Sequence, residues 1–149
     1  MRQILGRTNP ELTVKQSFKT LLLWIWQCPQ CLIGAVLWCL LTLGHQNPLR
    51  HGEIWIAPWL FGAGGVCLGE FVFVLKGNDE DVAQKHELGH RCQSRMLGPL
   101  YLIVVGFPSV CFNLLARRSQ YFRKTYYQRF PENWADKLGK IQRKPSNFS

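Results

Sequence analysis

The sequence predicts a mostly helical membrane protein with a short β element, and three observations carry that prediction. First, the 149 residues hold 18 Lys plus Arg against nine Asp plus Glu, yet Thr20–Leu49, Ile54–Gly69 and Met96–Ala116 contain no charged side chain. The first and last of these runs are 30 and 21 residues long. A bilayer core about 30 Å thick needs roughly 20 apolar residues in a helix. Second, the apolar residues between 54 and 75 are β-branched and aromatic, with local alternation instead of helical spacing. Third, residues 80 onward read as a polar helix, a broken apolar segment and a second polar helix. The mean hydropathy of −0.06 hides all this, because it sums apolar segments with a basic tail. A disordered tail protein and a disulfide miniprotein are excluded, and the charge-free runs argue against a plain cytosolic enzyme.

The elements follow in chain order, as one membrane-embedded domain over residues 1–149. Residues 1–19 form a basic segment with Arg2, Arg7, Lys15 and Lys19. The apolar run after it is too long for the core of a secretory signal, and no small-x-small cleavage site ends it. Residues 20–49 are therefore expected to be a retained anchor. Pro29 is expected to kink it or to end a short interfacial piece, leaving a span near Cys31–Leu43. Of the six cysteines (Cys28, Cys31, Cys39, Cys67, Cys92 and Cys111), three lie in the first run and one in the last. Such cysteines read as small buried apolar residues. Cys28-Pro-Gln-Cys31 has the spacing of a redox or metal pair but lacks a βαβ context, so a structural role is preferred.

Residues 50–79 form a strand and loop region. Ile54–Ile56 and Cys67–Leu75 have strand character, Pro58, Gly62, Gly64 and Gly65 interrupt them, and Phe71–Leu75 is expected as a short strand. Gly77-Asn78-Asp79 is a turn signal, and Asn78 or Asp79 is expected to cap a helix from Glu80 to Leu97 that Gly98-Pro99 stops. Residues 80–140 make the core of the site, and 141–149 are a basic tail. Residues 1–20 carry four basic and one acidic side chain, 45–95 five and six, and 117–149 nine and two. The positive-inside bias puts both basic ends in the cytoplasm, with an even number of crossings between them.

The expected helix carries His86-Glu87-Leu88-Gly89-His90, a complete HExxH. Two His four residues apart share a helix face and can bind one Zn²⁺, and Glu87 can then reach a water on the metal. A third ligand is needed. The extended metzincin pattern is excluded because Gln93 and Met96 stand where it requires Gly and His. His45 and His51 lie upstream, and no His follows His90. Downstream, Glu132-Asn133-Trp134-Ala135-Asp136 places Glu132 and Asp136 on one helical face. Glu132 is the expected third ligand, and Asp136 is expected to orient a ligating His through its other ring nitrogen. Pro131 suits a first-turn position.

These residues are similar to the gluzincin class of zinc metallopeptidases, in the thermolysin-like arrangement. The longer words His86–Ser94, Leu97-Gly-Pro-Leu-Tyr101, Gly106-Phe-Pro-Ser109 and Trp134-Ala-Asp-Lys-Leu-Gly139 resemble small bacterial membrane proteins with HEYGH-type sites. The resemblance covers roughly residues 66–140 and implies zinc binding. Leu88 stands where Tyr is commoner. No counterpart of the gluzincin oxyanion-stabilising His is present, which leaves Arg95, Tyr121, Tyr126 and Tyr127 as substitutes.

One topological conflict follows. A single crossing by Met96–Ala116 would separate Glu132 from the two His. The preferred resolution is a run that doubles back at Gly106-Phe107-Pro108; a site within the membrane depth is the other. The expected activity is hydrolysis of peptide bonds in a membrane or membrane-adjacent substrate, with the Phe71–Leu75 strand pairing to an extended peptide. A non-catalytic zinc-binding membrane adaptor is the alternative. It is disfavoured by the presence of Glu87 and by a count of three ligands, where structural zinc uses four. The basic, aromatic C-terminal block suits anionic headgroups and the bilayer interface better than nucleic acid. The expected location is the bacterial inner membrane.

Overall fold

The computed structural model describes residues 10–51, 54–57, 64–77 and 80–143. The expected cap at Asn78 or Asp79, the breakers Pro58 and Gly62, and residues 1–9 and 144–149 of the two basic ends lie outside the described residues.

The protein is mostly helical with a small sheet. Helix α1 runs Pro10–Trp26 and α2 runs Cys28–Leu43. No single described helix is long and apolar enough to cross a membrane; Phe18–Trp26 and α2 reach that length together, but bent by 98°. The break falls at Gln27, and Pro29 sits in the first turn of α2, where its missing N–H costs nothing. The elbow is held by polar side chains that the apolar run had concealed. Gln27 and Gln30 are fully buried. Gln27 Nε2 donates to Glu70 Oε1 (2.9 Å), Ser94 Oγ donates to Gln27 Oε1 (2.6 Å), and Gln30 Nε2 donates to the Gly98 carbonyl (2.8 Å).

Four strands follow: β1 (Leu49–His51), β2 (Ile54–Ala57), β3 (Gly65–Leu68) and β4 (Phe71–Leu75), in the order β1-β2-β4-β3. The stretch Cys67–Leu75 is thus two strands, turned at Gly69-Glu70 with Leu68 opposite Phe71. Gly69 has φ +67°, the left-handed conformation that a side chain resists, and Cys31 Sγ fills the space a Cβ would take. Strand β4 lies between β2, which it pairs in parallel, and β3, which it pairs antiparallel. It therefore has no open edge for a peptide, contrary to expectation; among the described residues the edge strands are β1 and β3.

The sheet separates two apolar clusters. Leu37, Trp38 and Leu41 of α2 pack with Ala57 and Phe73 on one face. On the other, Cys67, Val72 and Val74 meet Ala83 and Leu88 of α3, which spans Glu80–Leu97 as expected. After α3 the chain breaks at Gly98 (φ +54°), against which the Trp26 ring is seated, and Trp26 Nε1 donates to the Arg95 carbonyl (3.0 Å). It continues through a 3₁₀ turn (Gly98–Leu100) and a π turn (Leu102–Gly106) directly into α4 (Phe107–Arg118). The expected reversal at Gly106–Pro108 is absent, because Pro108 occupies the first turn of α4 and a proline there continues a helix. The chain reverses at Ser119, which is extended, and α5 (Gln120–Thr125) returns along α4 with Phe122 stacked on Phe112 at 6.4 Å. A 3₁₀ turn (Tyr126–Gln128) and the cis Phe130–Pro131 peptide lead into α6, Glu132–Leu138.

Candidate metal centre

Helices α3 and α6 lie against each other because glycines let their backbones meet. A Cβ on Gly89 would collide with the Ala135 carbonyl, and one on Gly139 with the Lys85 carbonyl. This approach carries Glu132 onto the two histidines. His86 Nε2 lies 2.9 Å and His90 Nε2 3.3 Å from Glu132 Oε2, and ligand atoms of all three residues lie within 4.8 Å of one another. All three are buried. With metal–ligand bonds of about 2.0–2.1 Å, the edges of a tetrahedron are about 3.3 Å long, close to the two separations between Glu132 Oε2 and the histidine nitrogens.

The other polar atoms of these side chains are already committed, which fixes how the donors point. His86 Nδ1 is 2.7 Å from Asp136 Oδ1, and His90 Nδ1 is 2.7 Å from Gln93 Oε1. Gln93 Nε2 donates to the Pro131 carbonyl (3.1 Å), so the amide oxygen faces His90 and receives its Nδ1–H. Both Nε2 atoms converge on Glu132 Oε2, the arrangement in which a cation could take the place of their shared hydrogen bonds. Ser109 Oγ donates to Glu132 Oε1 (2.5 Å), holding the carboxylate with Oε2 inward. Arg143 grips Asp136 with Nε to Oδ2 (2.6 Å) and Nη2 to Oδ1 (3.0 Å), and its guanidinium lies over the Tyr127 ring. The Tyr127 ring meets His86 edge-on at 5.3 Å.

Charge follows geometry. Burial opposes ionisation of Glu132, but hydrogen bonds from His86 and His90, the His90 charge and the Ser109 hydroxyl outweigh it and hold the carboxyl well below the usual range. Burial also works against a charged His90. The Glu132 hydrogen bond and the charges of Glu87 and Glu132 prevail and raise it to about 8 without metal. Burial raises Glu87 above an ordinary carboxylate, the histidine charges pulling it back and Glu132 adding to the rise. A carboxyl shifted in that direction suits proton transfer near neutral pH.

The centre opens into a cleft of about 960 Å³. It is lined by Gly64 and by Gly65–Cys67 of β3, by Ser109, Val110, Asn113 and Leu114 of α4, and by Tyr126, Tyr127 and Arg143. A Cβ on Gly65 would run into the Glu87 carboxyl, so the edge strand passes directly over it. Among the substitutes considered for the oxyanion, Tyr126 and Tyr127 line the cleft. Arg95 instead pairs with Glu70 (2.7 Å), and the Tyr121 ring lies beneath the Arg129 guanidinium. His45 and His51 are exposed and outside the cluster. Cys28 is exposed and Cys31 buried, both as free thiols.

Sequence reasoning assigned no role to Gln93, Ser109 or Arg143. Gln93 and Ser109 do fall inside the words that carried the resemblance, so a signal was present without a chemical reason attached. The chain matches no protein-family model, no curated protein and no solved structure. What can be said of its function therefore rests on a His86, His90 and Glu132 cluster close enough to hold a metal ion.

Proposed function

We propose that the protein is a membrane-associated zinc metallopeptidase of gluzincin-like type, acting on peptide bonds of a membrane or membrane-adjacent substrate. The observation that carries this reading is the joint placement of the cluster and Glu87, under the edge of β3 and open to one cleft. His86, His90 and Glu132 would hold Zn²⁺, which would supply Lewis acidity there, lowering the pKa of a water toward about 7 and polarising a carbonyl.

The chain's own residues do the rest. Glu87 accepts a proton from the attacking water and delivers it to the leaving amine, a role that fits its raised proton affinity. Asp136 and Gln93 hold the two imidazoles in one tautomer, and Ser109 keeps Glu132 from rotating. Strand β3 offers an open edge to an extended peptide, and Gly65 lets that backbone come close to Glu87. Tyr127, which lines the cleft, offers a hydroxyl to an oxyanion, whereas the Tyr126 hydroxyl is engaged with Ser109, Asn113 and Glu132.

The membrane reading is supported by exposed Phe18, Leu21, Leu22, Ile25, Leu32, Ile33, Val36, Leu40 and Leu43 on α1 and α2. A helix pair bent by 98° can dip into a bilayer and leave on the same side. That keeps both basic ends on the cytoplasmic face of a bacterial inner membrane, which the charge distribution favours.

The test compares wild type with Glu87→Gln, both loaded with zinc in phospholipid vesicles and given a complex peptide mixture read by mass spectrometry. Wild type is expected to cleave, and Glu87→Gln to keep its zinc and lose about 10²–10⁴-fold in rate. Zinc binding without cleavage by either protein favours the adaptor reading.

A further inference from the structure

Along α4 the cleft is lined by polar and apolar side chains: Ser109 donates to Glu132, and Asn113 stands one turn further along the helix. Exposed Arg117, Gln142 and Arg143 also line it. Before Arg117, the exposed lining on α4 is apolar. Val110 and Leu114 line the cleft from α4 and are 59% and 58% exposed, and Phe107, one turn before Val110, is 68% exposed. Residues three and four apart share a helix face, so these three form one stripe.

Facing them, Leu37 lines the cleft from α2. Its neighbours on that helix, Ile33 (i−4) and Leu40 (i+3), are exposed. The apolar outer surface of α2 therefore runs past Leu37 and Val66 into the cleft and out again along α4. Exposed apolar surface on this scale marks an interaction face.

The occupant is indicated by what borders the face. Residues 20–49 hold no charge. Exposed basic residues stand at the ends: Lys19 before it, Arg117 and Arg118 in the last turn of α4, and Arg123 and Lys124 in the last turn of α5. Apolar surface bounded by cations complements acyl chains bounded by anionic headgroups.

We propose that the cleft opens sideways into the bilayer between α2 and α4. Its substrate is then an apolar, membrane-inserted polypeptide segment that reaches β3 through lipid, and soluble peptides are not taken up by this mouth. The inference rests on the membrane placement given above and adds the direction of access.

The test places the photo-crosslinker benzoylphenylalanine at Leu114, Val36 or Lys137 of the full-length protein, reconstituted in phosphatidylethanolamine–phosphatidylglycerol vesicles. Lys137 is exposed on α6 and serves as the reference. Lipid adducts at positions 114 and 36 at least ~10-fold above position 137 are expected, as befits acyl contact at both helices. Adducts at position 36 alone leave the membrane placement standing and overturn the sideways opening. Adducts at neither position, or failure of the protein to float with vesicles, overturn both. In a second arm a 20-residue Leu/Ala peptide in the bilayer competes with soluble casein peptides for crosslinking at position 114. The embedded peptide is expected to dominate, and preferential capture of the soluble peptides overturns the substrate class. Zinc content is measured on the same samples, so a failed metal site is distinguished from a failed opening.

Discussion

Replacing Gly89 by Ala probes the contact that assembles the site. The added Cβ would clash with the Ala135 carbonyl oxygen and stand 2.8 Å from its carbon and 3.1 Å from Cα of the same residue. Ordinary carbon contacts are about 3.5–4.0 Å, so α6 must recede by roughly 1 Å. Glu132 is three residues before Ala135 on a seven-residue helix and moves with it. Metal sites tolerate about 0.2 Å in ligand distance, so such a shift removes the third ligand. Overpacking costs about 1–3 kcal/mol, against which the better helix propensity of Ala returns up to about 1. Gly89→Ala is expected to lower the melting temperature modestly and zinc affinity by at least ~10-fold, the affinity read by competition with a chromogenic chelator. Gly77→Ala, where no atom lies within 4 Å of the added Cβ, should change neither. Wild-type zinc affinity in Gly89→Ala would refute the claim that close approach of α3 and α6 brings Glu132 to the histidines.

Three further outcomes follow from the same geometry. Asp136→Asn, which weakens the hold on His86 and frees Arg143, is expected to cost about 10–100-fold in zinc affinity with little loss of fold, by the same competition. Glu70 is held at about 2: burial resists its charge, but hydrogen bonds from Arg95 and Gln27 and the charges of Arg91 and Arg95 prevail. Its contribution is complete above the ordinary carboxylate value of about 4.3 and fades as pH falls toward 2, so acid melts of wild type should lose stability there. Glu70→Gln should be less stable at pH 7 by about 2–4 kcal/mol, because two arginines lose their carboxylate, and should show a flatter acid limb. His90, raised to about 8 without metal, is protonated at pH 7 and must give up that proton to bind zinc. Calorimetry in buffers of different ionisation enthalpy should find close to one proton released, and none released would contradict this assignment.

The sequence was legible where spacing alone decides geometry. HExxH puts His86, Glu87 and His90 on one helix, which ends before Gly98 where its stop signal placed the end; ExxxD puts Glu132 and Asp136 on another, where Pro131 precedes the first turn instead of lying in it. It was less legible where long-range packing decides. Residues 102–118 contain two breakers, Gly106 and Pro108, yet helical structure passes through both, since proline in a first turn is tolerated. The reversal came at Ser119, after the charged residues Arg117 and Arg118, where hydropathy carries no signal. Phe71–Leu75 had the strongest strand character because it is the buried strand, and for that reason it is not the edge that faces the cleft. Gln27 and Gln30 sat unremarked within a charge-free run, though their burial required partners on α3 and at the β3–β4 turn.

The most direct measurement is zinc K-edge X-ray absorption on the purified, zinc-loaded protein alongside Glu132→Ala. One zinc per chain with two imidazole nitrogens and oxygen at about 2.0–2.2 Å is predicted, with weakened occupancy in the variant. Sulfur scattering at about 2.3 Å, or a Glu132→Ala spectrum and zinc content equal to wild type, would contradict a centre built from His86, His90 and Glu132.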